Sequence, residues 1–153
     1  MKRFVSLVAL FIIVAAPSAA SAQERFVTKK SPHSVAVTLD RLSDALKQRG
    51  ISIVARVDHA SAAEKVGEKL EPTQLLIFGN PKLGTPLMRS NQKIGLDLPM
   101  KVLAWRDRSG QVWIAYLKPN VLKSDYAISD NDKTFSAMEQ ALDALTNEAV
   151  RAN

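Results

Sequence analysis

The sequence predicts an α+β protein built as a two-layer sandwich, in which a largely antiparallel five-stranded sheet carries two main helices on one face. Two segments have apolar residues at helical spacing, Val35, Leu39, Leu42 and Leu46 in one and Phe135, Met138, Leu142, Leu145 and Ala149 in the other. Each such stripe needs a surface to cover. Five β-rich segments, two of them joined by the turn residues Asp107-Arg108-Ser109-Gly110, supply that surface as a sheet with a hairpin. The predicted order is β-α-β-α-β-β-β-α.

Each element follows from local chemistry. Glu24 to Lys30 reads as a first strand, ending at Ser31-Pro32, where Ser31 is placed to cap a helix opened by Pro32. That helix closes at Gly50, the glycine expected just past a helix end. Ile51 to Val57 is a second strand, stopping at Asp58-His59. Ala60 to Lys69 reads as a short helix on alanine content, and Thr73 to Phe78 as an interior strand on its continuous apolar run. Gly79 to Pro99 is a long connection with one helical turn expected from Thr85-Pro86. Lys101 to Arg106 and Val112 to Leu117 form the hairpin, Pro119 to Ser129 reads as an irregular crossing, and Asp130, Asn131 and Asp132 supply the cap and acidic first turn of the last helix. Alternation sends Trp105 or Trp113 to the sheet face that the helices leave open. That partly apolar face is expected to serve a ligand or a homodimer.

Residues 1–22 have the order of a secretory signal peptide: Lys2 and Arg3, the apolar run Phe4 to Ala16, then small residues ending Ala20-Ser21-Ala22. The apolar run is 13 residues long, short of the roughly 20 that cross a bilayer as a helix. The expectation is an exported protein, periplasmic or extracellular, without stable membrane insertion after cleavage. Residues 23–153 then form one domain of 131 residues, enough for a sizeable core. There is no cysteine, which excludes disulfides, thiolate metal sites and cysteine nucleophiles. Loss of Lys2 and Arg3 from 21 basic residues, against 15 acidic ones, leaves a net charge of +4. With no basic run and no aromatic and basic interleaving, nucleic acid is not an expected partner.

The most distinctive stretch is Phe78-Gly79-Asn80-Pro81-Lys82-Leu83-Gly84-Thr85-Pro86-Leu87-Met88. Backbone N–H groups, the Thr85 hydroxyl and the Lys82 ammonium are expected to converge there on a small anionic or amphipathic ligand. It is not a Walker A loop, because Thr85 stands where the lysine would follow the second glycine. His59, after a strand end, is the other chemical candidate, with Asp97 or Glu64 as its carboxylate partner in a hydrolase-type or isomerase-type enzyme. Bracing of the loop is the plainer role for Asp97. Only two histidines are present, so a multi-histidine zinc site is excluded. No cofactor motif and no Gly-x-Ser-x-Gly elbow occurs.

Four blocks together carry a family likeness: Asp58-His59; Phe78 to Lys82 with Gly84 to Met88; Leu96-Asp97-Leu98-Pro99-Met100-Lys101-Val102-Leu103; and Gly110-Gln111-Val112-Trp113-Ile114-Ala115-Tyr116. The chain resembles domain-of-unknown-function family 302 over nearly all of residues 23–153. The resemblance implies a small α+β fold with an antiparallel sheet, a homodimer and no agreed activity. Leu117-Lys118-Pro119 departs from the family's short polar residue before the proline, so no polar role is carried to that position. The expected function is a dimeric exported module binding a small ligand through His59, Asn80, Lys82, Gly84 and Thr85. The alternatives are a structural or envelope-stress dimer and an enzyme using His59.

Overall fold

The computed structural model describes residues 25–152; the leader read over residues 1–22 lies outside the described residues. The chain runs β1 (Phe26–Ser31), α1 (Val35–Gln48), β2 (Ser52–Asp58), α2 (His59–Glu64), β3 (Thr73–Gly79), α3 (Pro81–Ser90), a 3-10 turn (Gln92–Leu96), β4 (Met100–Arg106), β5 (Val112–Leu117), α4 (Pro119–Asp125) and α5 (Asp132–Val150). The five strands form one sheet in the order β1-β5-β4-β3-β2, and every neighbouring pair is antiparallel. The two-layer α+β architecture is the one predicted.

Strand alternation divides the sheet cleanly. Met100, Val102 and Ala104 of β4, Val112, Ile114 and Tyr116 of β5, and Leu76 and Phe78 of β3 are buried beneath the helices. The helices meet them with the expected stripes: Val35, Leu39, Leu42 and Leu46 from α1, and Phe135, Met138, Leu142, Leu145 and Ala149 from α5, all buried in one cluster. Each fully buried leucine contributes about 2 kcal/mol by removal from water. Helix α1 bridges the two edge strands, so β1 and β2 lie at opposite sides of the sheet.

Four local expectations are corrected. Helix α1 starts at Val35 with Ser34 as its cap, because β1 pairs through Ser31↔Val112 and the ladder holds Ser31 extended. Ser31 is buried and shares a 2.7 Å hydrogen bond with the Thr38 hydroxyl instead. The alanine-rich helix covers only His59–Glu64, capped by Asp58, whose carboxylate accepts from the Ser61 N–H; that bond leads in holding Asp58 below the usual carboxylate range. Helix α3 starts one turn before Thr85, at Pro81, and contains Pro86. Asn80-Pro81 outcompetes Thr85-Pro86 as the opening pair because the Asn80 side chain accepts from the Lys82 N–H. Pro119–Asp125 is a helix rather than an irregular crossing; Pro119 stands in its first turn, but its N-cap Lys118 makes no side-chain cap bond, so only half of the usual start signal is present.

The β1 edge is fastened to α5 by one side chain. Lys29 points under the helices and donates to the Asp143 carboxylate at 2.7 Å, the Thr146 hydroxyl at 2.8 Å, the Asn147 amide oxygen at 2.7 Å and the Asp143 carbonyl at 3.1 Å. Its side chain is 17% exposed. Lys29→Met keeps the stem and removes the donors, and is expected to cost about 2 kcal/mol in urea unfolding. The Lys29 ammonium leads in holding the Asp143 carboxyl below its usual range. A lowered carboxyl contributes stability above its unfolded pKa and loses it as pH falls through the folded value. The difference between wild type and Lys29→Met should therefore shrink in acid, and a gap that is constant with pH would count against this pairing.

Candidate functional site

At the end of the sheet where β2 begins, β3 ends and β4 begins, the two layers part. Register places Ser52 opposite Gly79 and Phe78 opposite Met100, so three strand ends meet there. A cavity of about 390 Å³ opens between them, α3 and α5, within the size range of small-molecule sites. Phe78 and Met100 form its sheet wall, and Met138, Leu142 and Leu145 of α5 its floor, so the cavity is continuous with the core. Leu83, Gly84, Thr85 and Met88 of α3 and the Leu98-Pro99 segment close it from the side.

Two backbone features shape the opening. A bulge between Ile53 and Ala55 leaves Val54 outside the β2–β3 pairing; Val54 is 60% exposed and lines the cavity. Gly79 lets the following connection pass close, since a Cβ there would stand 3.1 Å from the Pro99 Cβ. At Gly84 a Cβ would meet the Leu98 Cδ1 at 3.7 Å and the Met88 Cε at 4.0 Å, ordinary contacts. Gly84 thus leaves side-chain volume empty on the cavity wall.

The polar groups are few. Ser52, Asn80 and Thr85 line the cavity, and no charged residue does. The expected anion cradle is not formed by the start of α3. Pro81 has no N–H; the Lys82 N–H donates to the Asn80 carboxamide oxygen at 3.0 Å, and the Leu83 and Gly84 N–H groups donate to the Asn80 carbonyl at 2.9 and 3.0 Å. All the first-turn donors are engaged. Lys82 is exposed and outside the cavity lining, because it lies about 100° around the helix from Pro81, off the lining face.

His59 does not share this site. It follows Asp58, which pairs with Gln74 at the far end of the strand pair that brings Ser52 to Gly79. Six residue steps of strand, about 20 Å, separate the two ends. Asp97 lies before β4, at the cavity end, so the proposed His59 and Asp97 pairing is corrected as well. The Asp97 carboxylate accepts from the Tyr126 hydroxyl at 2.6 Å, and its carbonyl accepts from the Lys101 ammonium at 2.9 Å; the residue braces the loop. The bond to Asp97 leads in raising the Tyr126 hydroxyl above its ordinary pKa. Among the described residues, no three His, Cys, Asp or Glu side chains gather in a position to hold a metal ion.

The open sheet face holds more apolar surface than alternation alone foretold. Trp105 and Trp113 are cross-strand partners, and partners share a face, so both tryptophans stand there with stacked rings 6.5 Å apart. Leu75, Ile77, Leu103 and Leu117 share that face by the same register. Tyr116 turns inward to the core.

Fold and cavity define a small α+β sandwich domain with an apolar chamber between its layers. The chain belongs to the family described as domain of unknown function DUF302, whose model matches residues 27–145. Its structure is similar to the crystal structure of an uncharacterized conserved DUF302 protein from Bacillus stearothermophilus, with a TM-score of 0.74 and 21% identity over 83% of this chain and 98% of that one. In sequence it is 40% identical over 135 residues to a protein named fluoride-specific ion channel FluC 1 from Brucella suis, covering 88% of this chain and 53% of that protein. A Brucella melitensis protein named fluoride-specific ion channel FluC 2 is likewise 40% identical over 135 residues, covering 88% and 50%. The chain spans about half the length of these curated relatives. Among its described residues, no helix is long and apolar enough to cross a membrane.

Proposed function

We propose that this protein is an exported, dimeric binding module that holds a small amphipathic molecule, with the apolar part in the chamber between sheet and α5 and the polar part at the mouth. The cavity of about 390 Å³ carries this reading, because an opening walled by core residues rewards the entry of apolar groups by about 0.8 kcal/mol per methylene buried. Of the residues expected to bind the ligand, Asn80, Gly84 and Thr85 are retained. Lys82 and His59 are not needed. The open face with both tryptophans is the surface proposed to pair with a second copy, since an apolar patch of that kind favours a self-complementary two-fold contact.

A thermal-shift series with alkyl amphiphiles of increasing chain length tests the binding reading. The unfolding midpoint should rise with length until the chamber is full and then level off. A midpoint independent of chain length would remove the proposal.

The Brucella relatives named as fluoride-specific ion channels favour a second reading, in which the domain serves a membrane ion channel as an associated module. Fluorine NMR of fluoride titrated into the purified protein checks whether the domain itself takes the ion. An unchanged line would confine any connection with fluoride to the partner.

A further inference from the structure

Building on that binding reading, we infer that the ligand is uncharged: an aliphatic tail carrying a neutral head that both donates and accepts hydrogen bonds, such as an alcohol, a primary amide or a hydroxy ester. The inference rests on what stands at the mouth. Ser52 and Thr85 bring hydroxyls, each able to donate and to accept. Neither hydroxyl has a hydrogen-bond partner among the described residues, and neither does the Asn80 side-chain N–H₂, whose carboxamide oxygen alone is engaged as the helix cap.

Charge has no counterpart there. No lysine, arginine, histidine, aspartate or glutamate lines the cavity, and the N–H groups that make a helix start attractive to anions are bonded to Asn80. A carboxylate or phosphate head would lose hydration on approaching an apolar wall and meet no cation. The Ser52, Thr85 and Asn80 donors are open to either head, so hydration separates the two, and a neutral head loses less of it. For the tail, the lining is aliphatic and thioether: Phe78 is its single aromatic ring, against Met88, Met100 and Met138. Unbranched methionines adapt to a flexible chain more readily than they stack on a flat ring.

The test is a calorimetric titration of the purified protein with decan-1-ol, decanamide, decanoate and decyl phosphate, one tail with four heads. The alcohol and the amide should bind at least tenfold more tightly than either anion. The double variant Ser52→Ala, Thr85→Val removes both hydroxyls and should lower decanamide affinity at least fivefold, the scale of one lost hydrogen bond. Equal or tighter binding of the anions, or decanamide affinity indifferent to the double variant, overturns the neutral-head assignment while leaving a cavity that binds amphiphiles. Failure of all four probes to bind overturns both.

Discussion

Gly84→Phe is expected to weaken amphiphile binding by at least a hundredfold without lowering the unfolding midpoint. The added Cβ makes only ordinary contacts with Leu98 and Met88, and both neighbours line the cavity, so the ring is directed into the space a ligand tail would use. Displacing four methylenes of tail at about 0.8 kcal/mol each costs about 3 kcal/mol, which is about a hundredfold in affinity. Stability moves the other way. Gly84 lies inside α3, where glycine is the costliest residue after proline, so its replacement gains up to about 0.5 kcal/mol of helix propensity, and a filled chamber adds packing. A stable variant that no longer binds separates occlusion from unfolding, and His59→Ala, at the other end of the sheet, serves as the control that binds normally. Undiminished binding to a folded Gly84→Phe protein would place the ligand elsewhere, in the groove of about 520 Å³ beside Phe26, Leu103 and Trp105 on the open face.

The architecture was legible because it rests on periodicity. Leu39 and Leu42 of α1 and Met138 and Leu142 of α5 are buried as their spacing requires, and the hairpin turns at Gly110, whose φ of +87° explains why glycine stands there. The chamber was only half legible. Asn80, Gly84 and Thr85 were singled out for the chemistry of an anion loop, yet they matter as a capped helix start and an absent side chain beside an apolar space. The missing signal was the apolar content of a segment read as turns: Leu83, Met88 and Leu98 have no strand or helix period in common, but all three reach the same opening. Val54 and Ser52 carry no signal in the sequence for a different reason. A bulge is a mismatch between two strands, and neither strand alone encodes it. His59 and Asn80 each follow a strand, but antiparallel pairing of consecutive strands sends successive strand ends to opposite ends of the sheet. That rule alone was enough to separate them.

Leu103→Glu is expected to convert the proposed dimer into a folded monomer, raising the dimer dissociation constant by at least a thousandfold. Leu103 lies on β4 between Leu75 of β3 and Ala115 of β5, near the middle of the face that bears Trp105 and Trp113, and it is half-buried within one chain. In an isologous contact the substitution occurs twice. Two leucines, each with about half its surface left to bury, lose about 2 kcal/mol between them, or about thirtyfold, and desolvating two carboxylates in the contact adds the remaining loss. The monomer is spared because the same side chain faces water when no partner is present, and the helix-side core touches the opposite face of the sheet. Light scattering after size exclusion reads the mass directly. Tryptophan emission reports the same event from the interface, since Trp105 and Trp113 pass from partner-covered to wet and their emission should move to longer wavelength. A wild-type protein that elutes as a monomer at micromolar concentration would mean that the paired tryptophans serve the single chain, and a Leu103→Glu dimer with unshifted emission would mean that the second copy docks on another surface.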